Sequence, residues 1–170
     1  VSSNWAAIPE NYDELIDENF GECPANSNKA SISTVVYKVF DIEATWQEAR
    51  DFCNNLGDGV TLARSYCNRE NHFMAHLNYD QYDYGKWIGA NDIDDDGTWI
   101  WVDNSGTNQG QNINDSGSFF KWHVQVSPEQ APHKNCATIA QSGIPWQILW
   151  WDWDCDDKRN GFICEKRFYD

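Results

Sequence analysis

Several things are missing from this chain, and each absence removes a class of function. No run of eighteen apolar residues occurs in its 170 residues, so no helical membrane span or membrane insertion is expected. Basic residues are scarce: 12 Lys and Arg stand against 27 Asp and Glu, a net charge of −15. A surface of that sign repels phosphate, which excludes nucleic acid and anionic membranes as partners. It leaves cations, cationic proteins, mineral surfaces and neutral glycans, although the same charge also serves plain solubility. No Ser-His-Asp order, glycine-rich phosphate loop or paired-carboxylate setting stands out, so no enzyme is expected. No Cys-x-x-Cys pair occurs, which argues against a zinc site. There is no internal repeat. No signal peptide is visible at Val1, but a mature chain after signal removal would read the same.

What is present points outward from the cell. Six cysteines, an even number, read in a secreted chain as three disulfides with fifteen pairings open. Ten Trp, seven Tyr and eight Phe are many for this length. Large aromatics fill cores, and they also form the half-wet faces on which sugars stack. The densest stretch runs from Cys136 to Glu165, where three cysteines, a tryptophan cluster and an acidic run share about thirty positions. The length suits one domain with an extension, large enough to bury a core. Residues 1–22 read as an acidic N-terminal extension, a short helix or an ordered tail, and residues 23–170 as the domain.

Along the domain, Ser31 to Phe40 is β-branched and alternating, a strand. Thr45-Trp46-Gln47-Glu48 is a capping box, followed by Trp46, Ala49, Cys53 and Leu56 on one helical face and Gly57 as a stop. A second helix is expected from about Arg69 to Leu77, capped by Asn68, with Phe73 and Leu77 inward. Short strands follow at Lys86–Gly89, Thr98–Val102, Ala137–Ala140 and Phe162–Glu165. Between Asn104 and Asn135 lies a long stretch rich in Gly, Asn, Ser and Gln, of the kind that serves binding in a compact domain. Helices first and strands later make an α+β domain.

Together these residues resemble the C-type lectin-like domain, from roughly Val35 to Glu165. Trp46 to Cys53 is similar to that family's first helix and first core cysteine. Trp87-Ile88-Gly89-Ala90 resembles its Trp-Ile-Gly-Leu signature, and Trp99-x-Trp101-x-Asp103 the strand after it. Phe119-x-x-Trp122 resembles the loop anchor, and Cys136, Cys155 and Cys164 the last three cysteines. The resemblance implies an α+β fold with two helices packed on small antiparallel sheets, a long irregular loop and stabilising disulfides. It implies Cys53–Cys164 and Cys136–Cys155, leaving Cys23 and Cys67 to pair. The family's long form closes an N-terminal hairpin with an added disulfide, but Val36-Tyr37 stands where its second cysteine is expected.

Sugar-binding members of that family grip Ca²⁺ with Glu-Pro-Asn or Gln-Pro-Asp, a later Glu, and Trp-Asn-Asp. Counted from Trp122, the tripeptide here is Val126-Ser127-Pro128, or Ser127-Pro128-Glu129 after a one-residue shift. Lys134 holds the later Glu position, and Trp150-Trp151-Asp152 replaces Trp-Asn-Asp. A hard cation needs more oxygen ligands than Asp152 and Glu129 supply, so the standard sugar-coordinating site is expected to be degenerate. Lys134 would take the ion's place beside Asp152. Calcium is expected elsewhere if at all: Asp92-x-Asp94-x-Asp96-Gly97 with Asp103 at the twelfth position matches the start of an EF-hand-type loop. The plainer reading of that stretch is an acidic hairpin turn, capped by Asn91.

Trp150 matches a core position of the family, whereas Trp151 stands where an Asn ligand would be. Trp151 and Trp153 share one face of a strand-like segment, either displayed to a ligand or packed against the long loop. His72 and His76 have the i, i+4 spacing of a ligand pair, but without a third ligand they read as solvated helix residues. Asn114-Asp115-Ser116 is the single N-glycosylation sequon. The expected protein is a secreted, non-enzymatic lectin-like recognition module that binds a glycan through the long-loop face, with Glu129, Lys134, Trp151, Asp152 and Trp153 lining the site. The alternative is a non-sugar binder on the same fold, whose partner is a protein ligand, a mineral or ice surface, or extracellular matrix.

Overall fold

The computed structural model describes residues 5–20, 32–77, 85–102, 113, 122, 133–142 and 147–169. In chain order their elements are β1 (Ala6–Ala7), α1 (Tyr12–Leu15), β2 (Ile32–Phe40), α2 (Trp46–Asn54), β3 (Val60–Leu62), α3 (Asn68–Leu77), β4 (Lys86–Asn91), β5 (Ile100–Trp101), β6 (Cys136–Ser142), β7 (Gln147–Trp153) and β8 (Phe162–Tyr169). The strands form one hydrogen-bonded network ordered β1-β2-β8-β4-β6-β7, with β3 beside β8 and β5 beside β4. The pairings between these strands are antiparallel except for one parallel contact, Trp87 with Phe162, and an isolated parallel bridge joins Trp122 to Trp150.

Local chemistry sets both main helices. At the start of α2 the Thr45 hydroxyl accepts from the Glu48 N–H, and the Glu48 carboxylate accepts from the Thr45 N–H, completing the expected capping box. Trp46, Ala49 and Cys53 are buried. Leu56 is not on that face: α2 ends before it, and its side chain is 44 % exposed. In α3 the structure also differs from expectation. Asn68 is its first residue rather than its cap, and the Glu70 carboxylate reaches back to accept from the Tyr66 N–H at 2.9 Å. The buried side carries Glu70, Asn71, Met74 and Ala75, with Phe73 and Leu77 half-buried at its margin. Polar Asn71 turns inward because partners wait there: it donates to the Ile148 carbonyl and accepts from Trp150 Nε1.

Two apolar clusters flank the sheet. One gathers Tyr37, Ile88, Trp99, Trp101, Ile139, Trp150 and their neighbours under α3; the other gathers Trp46, Leu62, Trp87, Val102 and Phe162 under α2. The deepest indoles keep their N–H groups satisfied: Trp46 donates to the Ile88 carbonyl at 2.8 Å and Trp87 to the Ala44 carbonyl at 2.9 Å. Gly89 of the Trp-Ile-Gly segment sits where a Cβ would come within 2.6 Å of Val102 Cγ1, so only glycine lets β4 lie this close to its neighbours. A buried ionic group joins α3 to β8. Arg167 donates to Glu165 and Glu70, each at 2.7 Å, and to the Arg64 carbonyl, while Arg64 pairs with Glu165. Burial pushes the Glu165 carboxyl up, but the Arg167 and Arg64 guanidiniums hold it below its ordinary value.

Two disulfides are described, Cys53–Cys164 and Cys136–Cys155, as the family resemblance implied. Cys67 is also disulfide-bonded, and its expected partner Cys23 lies outside the described residues. The first clasps α2 to β8; the second joins the start of β6 to the chain just after β7. Residues 5–20 lie against the domain. Ala6 and Ala7 pair with Tyr37 and Val36 of β2, Tyr12 is buried against Phe73 and His72, and Asp13 takes two hydrogen bonds from Arg69 at 2.8 and 2.9 Å. Those bonds hold the Asp13 carboxyl down to about 2. Among the described residues no helix is long and apolar enough to cross a membrane.

Candidate functional site

The β6–β7 ribbon carries the residues expected to meet a ligand. It is in register from Cys136 opposite Trp153 to Ser142 opposite Gln147. Strand alternation then divides it between the two cores. Ala137, Ile139 and Trp150 join the cluster under α3, while Cys136 and Trp153 join the cluster under α2. Trp150 is fully buried, with Trp101 and Trp122 edge-on at 5.2 and 5.5 Å. Its core role matches the sequence reading.

Asp152 shares the Trp150 face and is buried. Burial pushes its carboxyl above the ordinary value, and the positive charge of exposed Lys134 pulls the other way. Lys134 therefore acts on Asp152 electrostatically from the chain just before β6. Trp151, opposite Thr138, is half-buried, neither fully displayed nor sealed in the core. Trp153 is more committed: its Nε1 donates to Thr138 Oγ1 at 2.9 Å, and the Arg159 guanidinium lies 3.6 Å over its ring. One face of that indole is thus covered by the protein's own cation. Glu129 lies outside the described residues, as does Asn114.

The acidic turn lies at the end of β4. Asp92 is buried, while Asp94, Asp95 and Asp96 are exposed and Asp103 lies outside the described residues. The turn caps itself: Gly97 N–H donates to Asp92 Oδ2 at 2.8 Å, Thr98 Oγ1 donates to Asp95, and Ile93 N–H donates to Asn91 Oδ1. Burial, and then the neighbouring Asp96 charge, push the Asp92 carboxyl up to about 6 against the Gly97 hydrogen bond. Its other oxygen, Oδ1, is buried without a hydrogen-bond partner, and so is Oδ1 of Asn135. These two residues are backbone neighbours, because the Asp92 N–H donates to the Asn135 carbonyl at 3.0 Å. Among the described residues no three His, Cys, Asp or Glu side chains gather as a metal cluster. The EF-hand spacing therefore places Asp92 inward and its sister carboxylates in solvent. Asn135 was absent from the sequence-derived site. Its signal was its place directly before Cys136, which the β4–β6 pairing sets opposite Asn91.

Calcium fits the two places differently. Beside Asp152 a cation would meet the repelling positive charge of the Lys134 ammonium. At Asp92 two buried acceptor oxygens lack donors, which is the donor chemistry of a hard cation.

A family model described as the lectin C-type domain matches residues 42–166. A C-type lectin mannose-binding isoform of Notechis scutatus scutatus is 36% identical over 138 residues, spanning 78% of this chain and 77% of the relative. Among solved structures, the cow C-type carbohydrate-recognition domain of CD23, determined in the presence of a GlcNAc2Man3 oligosaccharide, superposes with TM-score 0.61 at 21% identity, covering 88% of this chain and 98% of that one. Herring type II antifreeze protein superposes with TM-score 0.61 at 20% identity, covering 86% and 99%.

Proposed function

The chain belongs to the C-type lectin domain family, and from that premise we propose that it is a secreted recognition protein that binds a glycan through its long-loop face, with Trp151 of β7 as the stacking residue. The observation that carries this reading is Trp151. It is a half-buried indole on β7, opposite Thr138 and on the strand face that does not carry the buried Asp152 carboxyl. An indole face offers stacking to a pyranose, and the exposed Lys134 side chain just before β6 offers a hydrogen-bond donor to sugar hydroxyls. Sugar coordination through a calcium ion at this face is not part of the proposal. Asp92 and Asn135, with Asp96 beside them, are instead proposed to hold Ca²⁺ as a structural ion that firms the base of the long loop.

A glycan array read with and without EDTA tests both parts. Binding that survives EDTA and falls with Trp151→Ala supports the reading. Binding abolished by EDTA but untouched by Trp151→Ala overturns it. Calcium calorimetry on Asp92→Asn and on the Asp94→Ala, Asp96→Ala double variant separates the inner carboxylate from the outer ones. An unchanged isotherm for Asp92→Asn removes the proposed ion site.

One observation favours a second reading. Lys134 and Trp151 replace oxygen donors with an ammonium and an apolar ring, which suits an acidic or apolar protein surface as well as a sugar. Absence of sugar binding, with a protein partner lost on Trp151→Ala, would place the protein among the non-sugar binders of its family.

A further inference from the structure

On a chain of net charge −15, the outer face of β2 and β8 is basic and half apolar. Val36 pairs with Lys166 and Lys38 with Cys164, so Lys38 and Lys166 are diagonal neighbours on one face. It is the face that Cys164 turns toward α2, through its disulfide with Cys53. Each ammonium lies over a ring of its own strand, Lys38 5.1 Å from the Phe40 centroid and Lys166 5.2 Å from that of Phe168. Among the described residues no carboxylate lies within ion-pair distance of either ammonium. The apolar side chains of this side are open to water: Phe168 and Leu56 are each 44 % exposed and Phe52 is 36 % exposed. Phe52 packs on Phe40 and Phe162 at 4.9 and 5.2 Å, which joins the edge of α2 to the strands. From Phe40 to Thr34, which pairs with Phe168, the face is about 20 Å long.

The complementary surface is on the same chain. Leu15 is 64 % exposed, more than any other large apolar side chain among the described residues. Exposed Glu14, Asp17 and Glu18 flank it. The turn that carries it is stiff. Leu15 N–H donates to the Asn11 carbonyl at 3.0 Å, Glu18 N–H donates to that of Asp13 at 2.8 Å, and Arg69 clamps Asp13. An apolar tip already fixed in place loses little freedom on docking. Tyr12 packs this turn against Phe73 of α3. The acidic tip therefore sits on the α3 side of the sheet and the basic face on the α2 side, and the two do not meet within one copy.

We propose that the protein associates head to tail, with the Glu14–Glu18 turn of one copy, Leu15 at its centre, docking on the Lys38 and Lys166 face of the next. A helical turn with its side chains is about 10–12 Å across, which that face accommodates. The exposed carboxylates meet the two ammoniums, and Leu15 meets the apolar rim. Docking face to face would set lysine against lysine, and turn to turn would set carboxylate against carboxylate. The contact is therefore heterologous and extends to a ring or a filament. Two copies of like net charge repel at a distance. The Debye length of about 8 Å at about 0.15 M ionic strength confines that repulsion and leaves the contact pairs to decide.

The test is sedimentation equilibrium of the whole chain from about 10 µM to about 1 mM, the range of a small, transient contact. The mass should rise beyond that of a dimer. Leu15→Lys and, separately, the Lys38→Glu, Lys166→Glu double variant should each weaken association about tenfold or more, as loss of a central anchor does. Lys38→Gln with Lys166→Gln, which removes the charges without reversing them, should act in the same direction. Mixed in equal amounts, the Leu15→Lys chain and the double-glutamate chain should regain a contact of parental strength and stop at a dimer. The intact face of the first takes the intact turn of the second, and the surfaces left over are both altered. That recovery also shows that both variants are folded. A parent chain that is monomeric across the range, association kept in full by either variant, or a mixture of folded variants that stays monomeric would overturn the proposal.

Discussion

Removing Arg167 should cost this protein a large share of its stability, and the loss should depend on pH in a defined direction. Arg167 is buried and donates to Glu165 twice, to Glu70 and to the Arg64 carbonyl. Its guanidinium also lies 4.7 Å from the Tyr66 ring centre. Arg167→Ala strips the strongest cation from two buried carboxylates, one of them fully inaccessible. Breaking such a group by removing one partner costs about 3–5 kcal/mol. That compares with about 0.2–1 kcal/mol for an exposed pair such as Arg50–Asp51. In the parent chain the guanidiniums hold Glu165 below its ordinary value, so its ionised form contributes stability at neutral pH that fades as acid protonates it. Without Arg167, burial dominates and the carboxyl rises. The folded variant then gains by taking up a proton. The deficit should therefore be largest near pH 7 and shrink toward pH 4. Denaturant unfolding of both proteins at the two pH values measures it. Arg167→Met, which keeps the aliphatic stem, should show nearly the same deficit. An equal loss at both pH values, or recovery by methionine, would mean that the lost packing rather than the stranded carboxylates explains the effect.

The two described disulfides should differ in worth. The chain-entropy relation gives about 4.8 kcal/mol for Cys53–Cys164, with a separation of 111 residues, and about 3.2 kcal/mol for Cys136–Cys155, with a separation of 19. Paired Cys→Ser variants compared by thermal unfolding should keep that order, and a reversed order would refute it. The N-terminal segment should loosen in acid. His72 titrates near 4 when docked and near its ordinary 6.5 when released. Docking is thus fully supported above pH 6.5 and weakens as pH falls toward 4. Hydrogen exchange at Tyr12–Leu15 should accelerate over that window, and His72→Gln should flatten the dependence.

The fold was legible because its strongest signals are local and redundant. Thr45 and Glu48 cap α2 as a pair, and Gly89 is required by a contact that no side chain survives. The cysteines and tryptophans fall in an order that few other folds would tolerate. What escaped the sequence was long-range. Nothing near Glu70 or Asn71 announces that these polar residues face inward, because their partners Arg167 and Trp150 lie 97 and 79 positions away. Periodicity therefore favoured Phe73 and Leu77, while the buried ionic and amide contacts turned α3 toward Asn71 and Met74. The docking of the N-terminal segment, read as a short helix or an ordered tail, was hidden for the same reason. Its apolar residues are few, but Tyr12 and Asp13 find specific partners on α3.

The site was legible in its residue types but not in its geometry, and the reason lies in the β6–β7 ribbon. A strand with both faces buried loses the alternation that marks a half-exposed one. Here Trp150 and Asp152 turn to one core and Trp153 to the other, so four aromatic and acidic neighbours share a ribbon without sharing a role. Trp153 is bound by Thr138 and covered by Arg159, and Trp150 is sealed. Trp151 alone of the three indoles on β7 remains half-buried without belonging to either core cluster. The same division explains the two candidate ion positions. Next to Asp152 the chain supplies a cation of its own, whereas at Asp92 and Asn135 the backbone pairing buries two acceptors and supplies no donor. Residues that hold the fold and residues proposed to meet a ligand are therefore neighbours on one strand, which places the proposed recognition surface directly on a strand that contributes to both cores.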